Sequence, residues 1–397
     1  MAGGRGRVWS SGVVALLLLL VSLVGCGGQS PDGTARTDLQ RVLDRRSAAV
    51  LDRDRTAFLR TGALGWFENL RGVPLASWSY RVTALHRHGD EATADAELRY
   101  RVQGYDNAPV TAGRTLTLSH GPDGQWRVDA DAPARKSAQQ LWDQGEVTVM
   151  RGRRSLVLGV GQSSEQLHVY ADLADHAVPA VSGAWGTDWA RHVFILVPKS
   201  VEGMAGLLGS PASQYRGIAA VTTGEVGGPP DAPADRIIVN PDAYAVLGTL
   251  GKQVVLTHET THVATRAHTT AATPLWLSEG YADWIGYLGT GRTAIQAAPE
   301  LARSVDDGQV PAALPADKDF GFSGDATKLA QAYEGGWLAC RMIADRWGQK
   351  RLGQFYRAVG DHPRRAGAVE DATRKVLGTT PATFTEQWRE YLKAQLG

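Results

Sequence analysis

Only two cysteines, Cys26 and Cys340, occur in 397 residues. A disulfide framework is therefore excluded once either is used for something else, and the chain must be held together by an apolar core. Charge of one sign is missing as well. The 42 basic side chains face 41 acidic ones, a formal net charge of +1, which excludes a global field that would draw in nucleic acid or an anionic membrane surface. Binding must come from a local site. The longest apolar run, Val13 to Val24, falls short of the roughly 20 residues that a bilayer-spanning helix needs. What the chain does have is a hydrophobic content of 43%, enough for two ordinary domains with separate cores or one large one; two are expected.

The short apolar run follows Arg5 and Arg7, and a positive start before an apolar stretch marks residues 1–26 as a targeting segment. Its end, Leu23-Val24-Gly25-Cys26, resembles the signal peptide of a bacterial lipoprotein, in which a box of small and apolar residues precedes a cysteine that is lipidated and becomes the mature N-terminus. The resemblance implies a lipid anchor at Cys26 on the extracytoplasmic face of the cell membrane, where two acyl chains on one residue hold stably. Cys340 then has no partner and reads as a small buried apolar residue on a helix. Residues 27–36, rich in Gly, Ser and Pro, read as a flexible tether.

From Thr37 to about Gly62, Leu39, Val42, Leu43, Val50, Phe58 and Leu59 recur at helical spacing. The period then changes to two, with strands expected at Trp78–His86, Thr93–Val102, Arg114–Ser119 and Gln125–Val128. A helix followed by a meander makes a small α+β domain over residues 37–132. Its element order, ending in the Gly121-Pro122-Asp123-Gly124 hairpin, resembles the cone-shaped fold of nuclear transport factor two. Such a fold implies no chemistry by itself, so this domain reads as a spacer or as a module for an envelope protein partner. Residues 133–145 read as a linker. Beyond it, strands at Val147–Met150, Ser155–Val160, Val193–Val197, Ala219–Thr222 and Arg236–Val239 surround a helix at Glu165–Val178. After the Asn240-Pro241 cap nearly everything periodic is helical. The fold class is α+β, with a mixed-sheet subdomain followed by a mostly helical one across residues 146–397.

The chemistry concentrates where that switch occurs. In the segment Gly251 to His268, His258 and His262 are four residues apart, so on a helix they present two imidazoles to one ion. Glu259 points beside that ion, where a base for its bound water must sit. After a break at Pro274 comes Trp276-Leu277-Ser278-Glu279-Gly280-Tyr281-Ala282-Asp283-Trp284. On a second helix packed against the first, Glu279 supplies a third ligand and leaves a fourth position open, and Asp283 on the same face accepts the other ring N–H of His258. A rival third ligand is His268, six residues after His262. That spacing serves only where a glycine breaks the helix, and Thr265 stands there instead; on an unbroken helix His268 lies about 240° away from His262.

The pattern His258-Glu259-x-x-His262 with Glu279-x-x-x-Asp283, inside a Trp-Leu-x-Glu-Gly-x-Ala run, resembles the gluzincin metallopeptidases, the superfamily of thermolysin and the zinc aminopeptidases. The resemblance implies Zn2+ held by His258, His262 and Glu279, and hydrolysis of a peptide or protein substrate by a zinc-bound water that Glu259 activates. Gln331-Ala332-Tyr333-Glu334-Gly335-Gly336-Trp337 extends the likeness to an aminopeptidase segment whose tyrosine faces the zinc, so that Tyr333 would steady an oxyanion. The strand Gly217–Thr222 lacks the acidic residue that aminopeptidases use for the substrate amine, so exopeptidase specificity is not implied. The alternative is a zinc-containing envelope lipoprotein that has lost turnover and acts as a binding or assembly factor; the intact Glu259 argues against it.

Overall fold

A computed structural model describes residues 31–224, 232–321 and 325–397. The targeting segment, Cys26 and the first residues of the expected tether lie outside them. Helix α1 (Pro31–Leu51) buries Leu39, Val42, Leu43 and Val50, whose three- and four-residue spacing makes one apolar stripe. It lays that stripe on a four-stranded antiparallel meander of β1 (Leu75–His88), β2 (Glu91–Val102), β3 (Val110–His120) and β4 (Trp126–Pro133), in that spatial order. The alternation in β2 is strict: Ala92, Ala94, Ala96, Leu98, Tyr100 and Val102 all face the core.

Two boundaries differ from expectation. Residues 31–36 belong to α1 and not to a tether: Ala35 is buried, and the Arg36 guanidinium reaches the Val82 carbonyl on β1 at 2.5 Å. These two tertiary contacts outweigh a Gly- and Pro-rich composition. The expected linker is likewise tied down. Leu141 and Trp142 sit in a 3-10 turn and are buried, with Trp142 packed on Trp78 and Tyr100. The buried Arg114 joins Asp131 at 2.7 Å to Asp143 at 3.0 Å.

The second sheet runs in the order β5 (Val147–Arg151), β6 (Ser155–Val160), β7 (Val193–Val197), β9 (Arg236–Val239), β8 (Ala220–Thr222). The central strands β6, β7 and β9 are parallel, and each edge strand is antiparallel to its neighbour. All six residues of β6 are buried. Val157 packs under helix α2 (Ser164–Trp185), whereas Leu156, Leu158 and Val160 join the core of the N-terminal module. The expectation of two separate cores is thereby corrected: a strand apolar on both faces needs two covers, and the N-terminal module is one of them.

The remaining core is helical. Helices α3 (Thr249–Thr265), α4 (Leu275–Tyr287), α5 (Ala326–Trp347), α6 (Gln349–Gly360) and α7 (Pro381–Leu396) pack around Trp276, Tyr281, Leu338, Ile343, Phe355 and Trp388. Cys340 is buried among them, as expected. Among the described residues no helix is long and apolar enough to cross a membrane.

Candidate metal centre

Helix α3 lies against both α2 and α4, and it carries His258 and His262 on the face turned to α4. The imidazole Nε2 atoms are 3.0 Å apart. From α4, Glu279 Oε2 comes within 3.2 Å of His258 Nε2 and 3.4 Å of His262 Nε2. These edges match a tetrahedral zinc site, where bonds of about 2.0–2.1 Å space the ligand atoms about 3.3 Å apart. Among the described residues this is the one group of three or more such side chains with the geometry to hold a metal ion. The three side chains are 12–17% exposed, so solvent reaches them.

The partners around the triangle decide its chemistry. Asp283 Oδ1 is 2.7 Å from His258 Nδ1. With that nitrogen protonated towards the carboxylate, Nε2 is left with its lone pair, facing another ring nitrogen and a carboxylate oxygen. Lone pairs converging at 3.0–3.4 Å repel unless a cation or proton lies between them. Two imidazoles and one carboxylate are also a donor set of catalytic zinc, so the residues present fit that ion. The same electrostatics show in the acid–base balance. Burial disfavours a charged His258, but Asp283, followed by Glu279 and Glu259, outweighs it and holds the imidazole well above its usual pKa. Burial would raise Glu279, yet His262 and His258 keep it well below the usual carboxylate range.

Close approach of α4 to α5 holds Glu279 in place. A Cβ on Gly280 would sit 2.2 Å from the Gly336 carbonyl oxygen, and one on Gly336 would sit 2.7 Å from that of Trp276. Only glycine at both positions lets the two backbones meet, which is the physical content of the Glu-Gly and Gly-Gly pairs in the sequence.

Glu259 is buried, 6% exposed, and its Oε2 accepts a hydrogen bond from Thr222 Oγ1 at 2.6 Å. Its carboxylate is not a corner of the ligand triangle, but its charge acts on His258. Thr222, on the edge strand β8, was not singled out in the sequence. A strand was expected there, but one sequence gives no signal that it lies across α3. Asp235 and Arg266 also escaped notice: Arg266, one turn beyond His262, donates to Asp235 Oδ2 at 2.9 Å.

Tyr333 follows the buried Ala332 on α5 and is itself half-buried, its ring against Phe320 at 5.1 Å. Burial, then the charges of Glu279, Asp283 and Glu259, push its hydroxyl well above the ordinary tyrosine pKa, so it is a neutral donor in the field of all three. The rival His268 stands apart in a 3-10 turn, its ring against Trp185 at 5.7 Å and Nδ1 3.3 Å from Asp361.

The sequence matches no protein-family profile and no curated protein. Among solved structures its neighbours include M1 zinc metallopeptidases. The M1 zinc metallopeptidase from Deinococcus radiodurans aligns over 82% of this chain and 95% of its own, at 12% identity and a TM-score of 0.40. Native yeast LTA4 hydrolase aligns over 70% of this chain at 13% identity and a TM-score of 0.39, and the chain spans 44% of that enzyme's length. Similarity this distant leaves the chemistry to be argued from the site's own geometry.

Proposed function

We propose that this protein is a zinc-dependent metallopeptidase held at the extracytoplasmic face of the membrane by lipid on Cys26. The observation that carries the catalytic part is the His258, His262 and Glu279 triangle, with the buried Glu259 on the same helix as both histidines and its charge acting on His258. Zinc bound by those three side chains would lower the pKa of a coordinated water and polarise a substrate carbonyl. The protein's own groups do the rest. Asp283 fixes the His258 tautomer, with Nδ1 as donor and Nε2 free. Glu259 takes up a proton from the attacking water and returns it to the leaving amine. Thr222 pins Oε2 of that carboxylate, which leaves Oε1 to receive the proton. Tyr333, kept neutral, donates to the oxygen on which negative charge develops.

Among the described residues strand β8 is hydrogen-bonded to a neighbouring strand on one side only, so an extended peptide has a backbone edge to pair with next to Glu259. Replacing Glu259 by Gln is expected to leave zinc bound and abolish cleavage of a peptide library; undiminished cleavage would remove Glu259 from its role. The anchor rests on the Leu23-Val24-Gly25-Cys26 box. Cys26→Ser is expected to move the protein from the detergent phase to the aqueous phase in phase partitioning, and unchanged partitioning would sink it.

A further inference from the structure

We infer that Asp106, in the turn between β2 and β3, is a positioning residue for the Glu259 carboxylate, which makes the N-terminal module a support of the site instead of a spacer. The kinetic consequence rests on the peptidase reading above, while the geometry stands without it.

The Asp106 side chain is fully buried. Oδ1 accepts from Arg236 Nη1 at 2.6 Å and from the Ala234 backbone N–H at 3.1 Å. Oδ2 accepts from Arg236 Nη2 at 2.9 Å and from the backbone N–H of Val102, in its own module, at 2.7 Å. One carboxylate thus ties the end of β2 to both residues flanking Asp235 at the start of β9. The Arg236 guanidinium is further confined over the Phe194 ring, 4.7 Å from its centroid.

The relay continues through the backbone. The Thr223 N–H donates to the Arg236 carbonyl at 2.8 Å, and the Arg236 N–H donates to Thr223 Oγ1 at 3.2 Å. Thr222, paired with Ile237, then donates to Glu259, its Oγ1 lying 2.6 Å from Oε2 and 3.1 Å from the backbone oxygen. Strand β8 has three residues and, among the described residues, one hydrogen-bonded neighbouring strand, so its lateral position is inherited from β9. The start of β9 is in turn held by a buried bidentate ion pair to another module. Removing the charge of Asp106 leaves Arg236 buried and uncompensated, a state the structure relieves by moving Arg236 and the hairpin with it.

The test uses the full chain loaded with zinc and compares Asp106→Asn, Thr222→Val, the double variant, and Val82→Ala, which loosens the same module away from the clamp. Readouts are zinc content, amide hydrogen exchange at residues 220–223, and kcat and KM on a peptide library. Asp106→Asn is expected to keep its zinc, to exchange at least about tenfold faster at 220–223, and to lower kcat by on the order of ten- to a hundredfold with KM little changed. In the Thr222→Val background its added effect on kcat should shrink below about threefold, because both changes break the same relay. Val82→Ala should leave exchange at 220–223 and kcat as in the wild type.

Wild-type exchange at 220–223 in Asp106→Asn, or fully multiplicative effects in the double variant, would overturn the inference. Should Asp106→Asn fail to fold, Asp106→Glu, which keeps the charge and displaces it by one methylene, carries the same comparison. If the wild-type protein cleaves no peptide, the peptidase reading falls and the exchange comparison alone decides the clamp.

Discussion

Removing the Asp283 carboxylate should weaken zinc binding without touching a ligand. Its Oδ1 sits 2.7 Å from His258 Nδ1, in the range of charge-assisted hydrogen bonds, and the carboxylate is 17% exposed, so solvent screens it little. Bonds of that kind are worth about 1.5–3 kcal/mol, and partners of metal-bound imidazoles typically contribute 10- to 100-fold in affinity, about 1.4–2.7 kcal/mol. Asp283→Ala is therefore expected to raise the zinc dissociation constant 10- to 100-fold. Asp283→Asn keeps a neutral acceptor for the ring N–H and should fall between Ala and wild type. Competition against a chromophoric chelator of known affinity measures all three. As a control, Glu279→Ala should lose more than either, since it removes a corner of the triangle. Equal affinity in Asp283→Ala and wild type, or Asn binding more weakly than Ala, would refute the role given to this carboxylate.

Two further outcomes follow from packing and burial. Gly280→Ala would place a methyl 2.2 Å from the Gly336 carbonyl oxygen. It should cost at least about 1–3 kcal/mol and lower zinc affinity by shifting the neighbouring Glu279, so a wild-type melting temperature with wild-type affinity would contradict the helix contact described here. Burial raises the Glu334 carboxyl from 4.5 to about 7, despite the N–H groups of Leu301 and Glu300 that it accepts. A folded pKa above the unfolded one means that the native state binds the proton more tightly. The stability this adds is complete below about pH 4.5 and is lost as pH rises through about 7, a change of at most about 3 kcal/mol. Glu334→Gln should flatten the fall in thermal stability between pH 5 and 8, and an unchanged slope would remove Glu334 as its source.

Local pattern carried most of the fold. The limits of β6 and β7 follow from unbroken apolar runs and those of α7 from its amphipathic spacing after Pro381, because each signal is written within a few residues of the element it sets. The metal triangle was legible for the same reason. His258 and His262 share a helix face by spacing alone, and Glu279 with Asp283 repeats that spacing on the next helix. Composition misled where a few tertiary contacts reversed it, at residues 31–36 through Ala35 and Arg36, and at the expected linker through Leu141, Trp142 and Asp143.

What could not be read lies in pairs distant along the chain. Thr222 meets Glu259 across 37 residues, and Asp106 meets Arg236 across 130. Glu259 stands in a motif, but the other three have an ordinary local context: a threonine ending a strand, an aspartate in a turn, an arginine opening a strand. Their meaning depends on β8 lying over α3 and on β9 starting against the N-terminal module. That second placement is itself forced by the sequence, since β6 is apolar on both faces and α2 covers only one of them. Once the N-terminal module must cover the other face, its β2–β3 turn arrives at the start of β9, and a buried Asp106 there requires a cation. Arg236 is that cation. The continuity of the core and the relay to Glu259 are thus one consequence of a single buried strand, and a chain beginning at residue 146 would leave Leu156, Leu158 and Val160 uncovered together with Arg236.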